Sequence, residues 1–390
     1  MSDDYRVIDE DDAFKEYVAS CEGISVFAID TEFHRERSYF PKVALIQINN
    51  GTEVVLIDPL AVDSTPLADL FTLDATAVLH AASQDLEVFE HWADSVPKRI
   101  FDTQLAAGFT GLSTPSLAAL HDKVLRISLP KTSRLTDWLA RPLTEDQLDY
   151  AASDVAHLLE LRNHLVAELE DRGRLEWAEN ECELLRTATR GPRDPDEAWR
   201  RIKAVRQLKG ESLGAARALA AWRETQAARL DQPVRFILSD LALVGIAQRK
   251  PTTPDQLKSI RGVDDRLARN ETGELLLRLV EEGQALPAPK KARQPSRPTR
   301  PELRPAVSLV TAWVAQLAGE VHIDPALLGT RADIESFVRG DPDARLAHGW
   351  RAELVGDPAK RLMTGDAALA FDGDGGLVLE ERSGNAISPR

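Results

Sequence analysis

Residues 25–48, SVFAIDTEFHRERSYFPKVALIQI, constrain this chain more than any other stretch. An apolar run of strand length ends in Asp30-Thr31-Glu32, a second strand-like run begins at Val43, and Tyr39, Phe40 and Pro41 lie in the connection. Residues i and i+2 of a strand project from one face, so Asp30 and Glu32 can converge on one point at the strand end. Converging carboxylates repel each other. A hard divalent cation such as Mg²⁺ or Mn²⁺, which favours oxygen ligands, offsets that repulsion most readily. A solvated strand end also explains one D-x-E triplet in an acidic chain, so the metal reading requires further acids.

The 390 residues suffice for several domains and more than one sizeable core. No uninterrupted apolar run approaches membrane-spanning length, and the acidic start MSDDYRVIDEDD does not read as a secretory signal. The expectation is a cytoplasmic protein without membrane contact. Cys21 and Cys182 lie far apart, and no C-x-x-C or clustered Cys/His pattern exists, which argues against structural zinc and a disulfide framework. A net charge of −15 argues against a polyanionic partner, yet the basic charge is concentrated. Residues 199–209, WRRIKAVRQLK, hold five basic side chains and no acid, and residues 288–305 hold six against Glu302 alone. Each cluster can be a solvated surface or a phosphate contact.

Up to about residue 190 the chain mixes strand and helix signals. Strand-like runs occur at 25–30, 43–48, 53–57 and 77–80, with a shorter one at 99–101. Asn49-Asn50-Gly51 is a hairpin signal, since Asn and Gly tolerate positive φ, and it makes the first three strands antiparallel. Helical patterns fall at 64–71, 83–93, 103–108 and 116–124, and one long helix is expected over 144–172, capped by Thr144 with Glu145 and Asp146 in its first turn. The pattern predicts an α/β sandwich with a mixed sheet over residues 1–192. Residues 193–284 show only helical periodicity and predict a small bundle; within it a helix is expected over 197–208. A basic, Pro-rich linker (285–304), a second helical segment (305–372) and a flexible tail (373–390) complete the layout.

Two more acids repeat the logic of the first pair. Asp85 follows the strand VLHA at the start of a helix, and Asp154 lies in YAASDVAHLLEL. Tyr150 and Asp154 are spaced i, i+4, which puts a phenol and a carboxylate on one helix face. Taken singly, Asp85 reads as an acid at a helix N-terminus and Tyr150 as a packing residue.

In order and spacing, D-T-E-F with its Y-F-P-K-V-A-L-I-Q strand, H-A-A-S-Q-D-L-E-V-F and Y-A-A-S-D-V resemble the three motifs of the DEDD exonuclease superfamily. The tyrosine four residues before the last acid resembles its tyrosine branch, and L-P-K-T-S-R-L-T-D-W-L-A-R-P-L-T looks like ribonuclease D. The stretch AWRRIKAVRQLKG and the later L-K-S-I-R-G-V resemble the helicase-and-RNase-D C-terminal (HRDC) domain; the segment after the linker is similar to a second one, more loosely.

The resemblance implies an RNase H-like fold followed by two all-α HRDC-type bundles, and 3′-to-5′ exonucleolysis that releases nucleoside 5′-monophosphates with two divalent ions, Mg²⁺ or Mn²⁺. On that reading Asp30 bridges both ions, Glu32 and Asp154 complete the ligand set of the first ion, Asp85 holds the second ion directly or through water, and Tyr150 orients the attacking water. Phe33 and His80 are candidates for lining the terminal nucleotide, by stacking and hydrogen bonding, and Lys131 and Arg134 for contacting phosphates of the incoming strand. Trp138 reads as packing. The expected substrate is RNA with a single-stranded 3′ end, tRNA precursors being the family's usual class, and the expected state is a monomer. A DNA exonuclease of repair type and a non-catalytic RNA-binding scaffold are the alternatives, because pocket contacts to the 2′-OH are not located by sequence.

Overall fold

The computed structural model describes residues 5–128, 136–191, 194–287 and 300–382. Its N-terminal part is built on one six-stranded sheet: β1 (Tyr5–Ile8), β2 (Val26–His34), β3 (Lys42–Asn49), β4 (Val54–Ile57), β5 (Thr76–Leu79) and β6 (Arg99–Asp102). The spatial order is β1-β4-β3-β2-β5-β6. β2, β3 and β4 form an antiparallel meander, while β1 joins β4, and β5 and β6 extend from β2, in parallel. The sheet is mixed, as expected. β3 is buried along almost its whole length, which is why VALIQI reads as a continuous apolar run rather than an alternation.

The strand register sorts the side chains. Phe27 and Ile29 of β2 and Ile46 and Ile48 of β3 pack with α1 (Asp11–Ser20), α2 (Thr65–Thr72) and α3 (Ser83–Ala93) in one core. On the opposite face, α4 (Thr103–Gly108), α5 (Leu117–Leu120), α6 (Glu145–Ala156), α7 (Leu158–Asp171) and α8 (Leu175–Thr187) supply the cover. A register shift between Glu32 and Phe33 ends the regular pairing at the point where the first two acids stand.

Several elements differ from the sequence reading. The helix expected over 144–172 is two helices, α6 and α7, broken at His157. The break lies where the side-chain amide of Asn49 on β3 donates to the carbonyls of Val155 and Ala156, both at 3.1 Å, and satisfies groups that a continuous helix would use. The N-terminal cap is as expected, with Thr144 and Gln147 forming a capping box. β1, α1 and α8 carry no signal strong enough to have been read. Beyond residue 194 the basic stretch 199–209 forms two 3₁₀ turns in place of a helix, Pro195–Arg201 and Lys203–Gln207, packed on α9 (Gly210–Leu230). The C-terminal segment ends in an antiparallel hairpin, β7 (Ala367–Phe371) with β8 (Leu377–Glu381), so a strand occupies part of the stretch read as tail.

That segment is not a separate body. Val307, Val310, Trp313, Leu328, Leu346 and Trp350 share one apolar core with Phe109, Leu161, Leu165 and Ala178 of the sheet domain. Trp350 stacks on Trp177 with ring centroids 5.1 Å apart and meets the edge of Phe109 at 5.3 Å. The bundle around α9 has its own core and touches the sheet domain through polar contacts: the Tyr39 hydroxyl donates to Glu224 at 2.7 Å, and the amides of Tyr39 and Phe40 donate to Asp231.

Candidate active site

Asp30 and Glu32 lie on the β2 face that α6 covers, because they alternate with the core residues Ile29 and Thr31. α6 brings Tyr150 and Asp154 over the same edge, one turn apart. Asp85 comes from the other side of the sheet, in the first turn of α3, and the Thr31 hydroxyl donates to its Oδ1 at 2.5 Å. The site therefore straddles the strand end. Asp30, Asp85 and Tyr150 line one cleft of about 920 Å³. Glu32 borders a neighbouring cleft of about 670 Å³ whose walls include Arg35, Arg37 and Lys42, and Phe33 lines both.

Electrostatics tie the four acids together. Burial, followed by Asp85, Asp154 and Glu32, raises Asp30 well above the usual carboxylate range. Burial together with Asp154 and Asp85 pushes Glu32 up to about 8. Burial pushes Asp85 up to about 7, against the opposing pull of the Thr31 hydrogen bond. Loss of water raises all three, neighbouring acids of the set add to it at Asp30 and Glu32 and Asp102 adds to it at Asp85, and an oxygen-only donor set of this kind suits a hard divalent ion. Among the described residues no three His, Cys, Asp or Glu side chains are already gathered into a finished metal cage.

Two supporting residues carry little sequence signal. Asp102 is buried at the end of β6 and accepts from the amides of Ala81, Ala82, Gln104 and Leu105. It thereby caps α4 and holds Ala81 in the left-handed region (φ 61°), a conformation costing a non-glycine residue about 1 kcal/mol, just ahead of the turn that presents Asp85. Only the D-T-Q-L start of a helix hints at it, and that reads as a cap alone. Gln47 pairs with Asp30 across the β2–β3 ladder, is fully buried, and neither polar atom of its side chain has a hydrogen-bond partner among the described residues.

Of the other predicted residues, His80 lines the cleft, but its ring nitrogens already lie 2.9 Å from the Thr103 hydroxyl and 3.1 Å from the Pro115 carbonyl. Burial lowers its pKa. It forms part of the cleft wall, with both ring nitrogens within hydrogen-bond distance of protein oxygens. Trp138 is buried and packs 6.0 Å from the Tyr150 ring, the packing role expected. Lys131 and Arg134 lie outside the described residues.

Comparison with known proteins gives the family. Residues 5–170 match the 3′-5′ exonuclease family and residues 212–280 the HRDC domain. The chain is 36% identical over 359 residues to ribonuclease D of Gluconacetobacter diazotrophicus, an alignment covering 89% of each protein. The chain belongs to the ribonuclease D family. Ribonuclease D of Escherichia coli is 33% identical over 371 residues, 92% of this chain and 98% of that one. The crystal structure of the E. coli protein, described as an exoribonuclease involved in structured RNA processing, matches with a TM-score of 0.82 over 93% of this chain and 99% of that one. The catalytic core of RRP6 from Trypanosoma brucei, 23% identical, shares the fold with a TM-score of 0.59, covering 73% of this chain and 81% of its own. As a ribonuclease D the chain is a 3′-to-5′ exoribonuclease, which sets aside the DNA-exonuclease and scaffold readings. Among the described residues no helix is long and apolar enough to cross a membrane.

Proposed function

We propose that this exoribonuclease trims the 3′ ends of structured RNA, tRNA precursors among them, and that Asp30, Glu32, Asp85 and Asp154 hold two divalent ions, Mg²⁺ or Mn²⁺, beside Tyr150. The observation that carries the assignment is the gathering of buried acids at one strand edge, where Asp85, Asp154 and Glu32 raise Asp30 and where Asp154 and Asp85 raise Glu32, an arrangement suited to concentrated positive charge. When bound, the ions neutralise charge on the attacking and leaving oxygens of an in-line displacement at the terminal phosphodiester. Asp30 stands between the other acids in the electrostatic network and is the natural shared ligand. The Thr31 hydroxyl holds the Asp85 carboxylate through its Oδ1 at the wall of the cleft. Tyr150, one turn before Asp154, offers a phenol that orients the attacking water rather than deprotonating it, since a phenol of pKa about 10 is a weak base near neutrality. Phe33, on the border of the two clefts, offers a stacking face to the terminal base.

RNA and DNA oligomers labelled at either end, incubated with Mg²⁺, Mn²⁺ or EDTA, test this reading. The expected result is mononucleotide release from the 3′ end of RNA with either metal and none with EDTA. Undiminished hydrolysis in EDTA would sink the metal assignment.

A further inference from the structure

The cleft that contains Asp30, Asp85 and Tyr150 is walled in part by the C-terminal segment, through Asp324, Leu327 and Arg345. This wall is fixed in place. The amide of Asp324 donates to the Gly108 carbonyl at the end of α4 (2.8 Å), and a Cβ added at Gly108 would stand 2.6 Å from Leu327 Cδ1, so backbone and side chain are in close contact there. Arg174 donates to the Val321 carbonyl at 2.6 Å, and the Trp350–Trp177 stack seals the far side of the junction.

Arg345 is the sole Lys or Arg among the described residues lining that cleft, where the other ionisable groups are Asp30, Asp85, Asp102, Asp324, His80 and Tyr150. One of its N–H groups donates to Glu181 Oε2 at 2.5 Å. The other oxygen of Glu181 is taken by the buried Arg351, so one carboxylate serves two guanidinium groups and satisfies neither fully. Asp333 lies 3.8 Å from Arg345 Nη1, beyond hydrogen-bond reach, and its near oxygen already accepts from Thr330 at a helix cap. Arg345 is thus anchored at one N–H with a looser ion pair to Asp333, makes no further side-chain hydrogen bond among the described residues, and has a side chain 36% exposed. A planar, pre-positioned guanidinium in that state is suited to a phosphate.

We propose that Arg345 binds a backbone phosphate of the RNA 3′-terminal segment, so that the C-terminal segment supplies part of the exonuclease's substrate site. The inference rests on the exoribonuclease activity and is independent of which acids hold metal. A purely structural role would make Arg345 only a tie between the segment and α8.

The test uses the full-length protein and a short unstructured RNA, with Ca²⁺ in place of Mg²⁺ and binding followed by fluorescence anisotropy over a salt series. R345Q is expected to weaken binding about tenfold, equally for all four 3′-terminal bases, and to lower the slope of log K against log salt by about one, while R345K retains the slope. In Mg²⁺ assays R345Q raises KM more than it lowers kcat. Unchanged affinity and slope in a folded R345Q protein, or a loss confined to one terminal base, would overturn the proposal. Should R345Q fold poorly, the wild-type protein decides: RNA carrying 4-thiouridine near its 3′ end must crosslink to the peptide containing Arg345, and crosslinks only elsewhere would sink the idea. Failure of the activity itself looks different, as wild-type protein that binds RNA yet releases no nucleotide with any divalent ion.

Discussion

The Thr31 hydroxyl donates to Asp85 Oδ1 at 2.5 Å, joining β2 to the first turn of α3 across 54 residues of chain. Thr31 points to the opposite face of the sheet from Asp30 and Glu32, so one tripeptide contributes two acids from one side and the positioning of a third from the other. Removing a hydrogen bond to a charged group costs about 1.5–3 kcal/mol, so Thr31→Val is expected to lower kcat by roughly tenfold or more with little change in RNA affinity. Asp85→Asn is expected to be far more severe. Single-turnover assays compare the two, and equal activity of T31V and wild type would remove Thr31 from the site.

Tyr150 and Asp154 occupy one face of α6, with the Tyr150 ring against Trp138. Tyr150→Phe keeps the packing and deletes the hydroxyl. The expected outcome is a kcat lower by about two orders of magnitude, the low end of the range for positioned proton-handling groups, with RNA binding retained. A Y150F protein of normal rate would show that the phenol oxygen takes no part.

The raised carboxylates make stability depend on pH. Glu32 moves from 4.5 to about 8 and Asp85 from 3.8 to about 7, so the folded chain holds these protons more tightly than the unfolded chain. Their contribution is fully present below about pH 4 and is lost as pH rises through 7 to 8. EDTA-treated protein is therefore expected to lose melting temperature between pH 5 and pH 8 through these groups, and Mg²⁺ or Mn²⁺ to restore more at pH 8 than at pH 5. Calorimetry at the two pH values, with and without metal, reads the difference; metal stabilisation greater at the lower pH would contradict the site.

Trp350 is the apolar anchor of the C-terminal segment, stacked on Trp177, touching Phe109 and lying under the Arg351 guanidinium at 4.1 Å. Trp350→Ala is expected to cost about 3–5 kcal/mol of docking stability. Limited proteolysis should then cut within residues 300–382 faster than it does in wild type, and a variant as resistant as wild type would show that the segment is held by its polar contacts alone.

Much of the sheet was legible because its strands are short apolar runs bounded by Asn-Gly and Asp-Thr-Glu, and the helix carrying Tyr150 because Thr144 caps it. The break at His157 was not, since it depends on Asn49, more than a hundred residues away, reaching the carbonyls of Val155 and Ala156. β1, an edge strand with two exposed residues among its four, has too little apolar pattern to be read.

The sequence by itself determined which side chains could meet at the strand end: period-two projection puts Asp30 and Glu32 on one face, and i, i+4 spacing puts Tyr150 with Asp154, both local consequences of backbone geometry. Tertiary structure alone decided that His80 spends its nitrogens on Thr103 and Pro115, that Asp102 steadies the turn before Asp85, and that Arg345 reaches the cleft from the C-terminal segment. Those outcomes depend on which surfaces bury against each other, and burial between elements far apart in sequence leaves no periodic trace in either one.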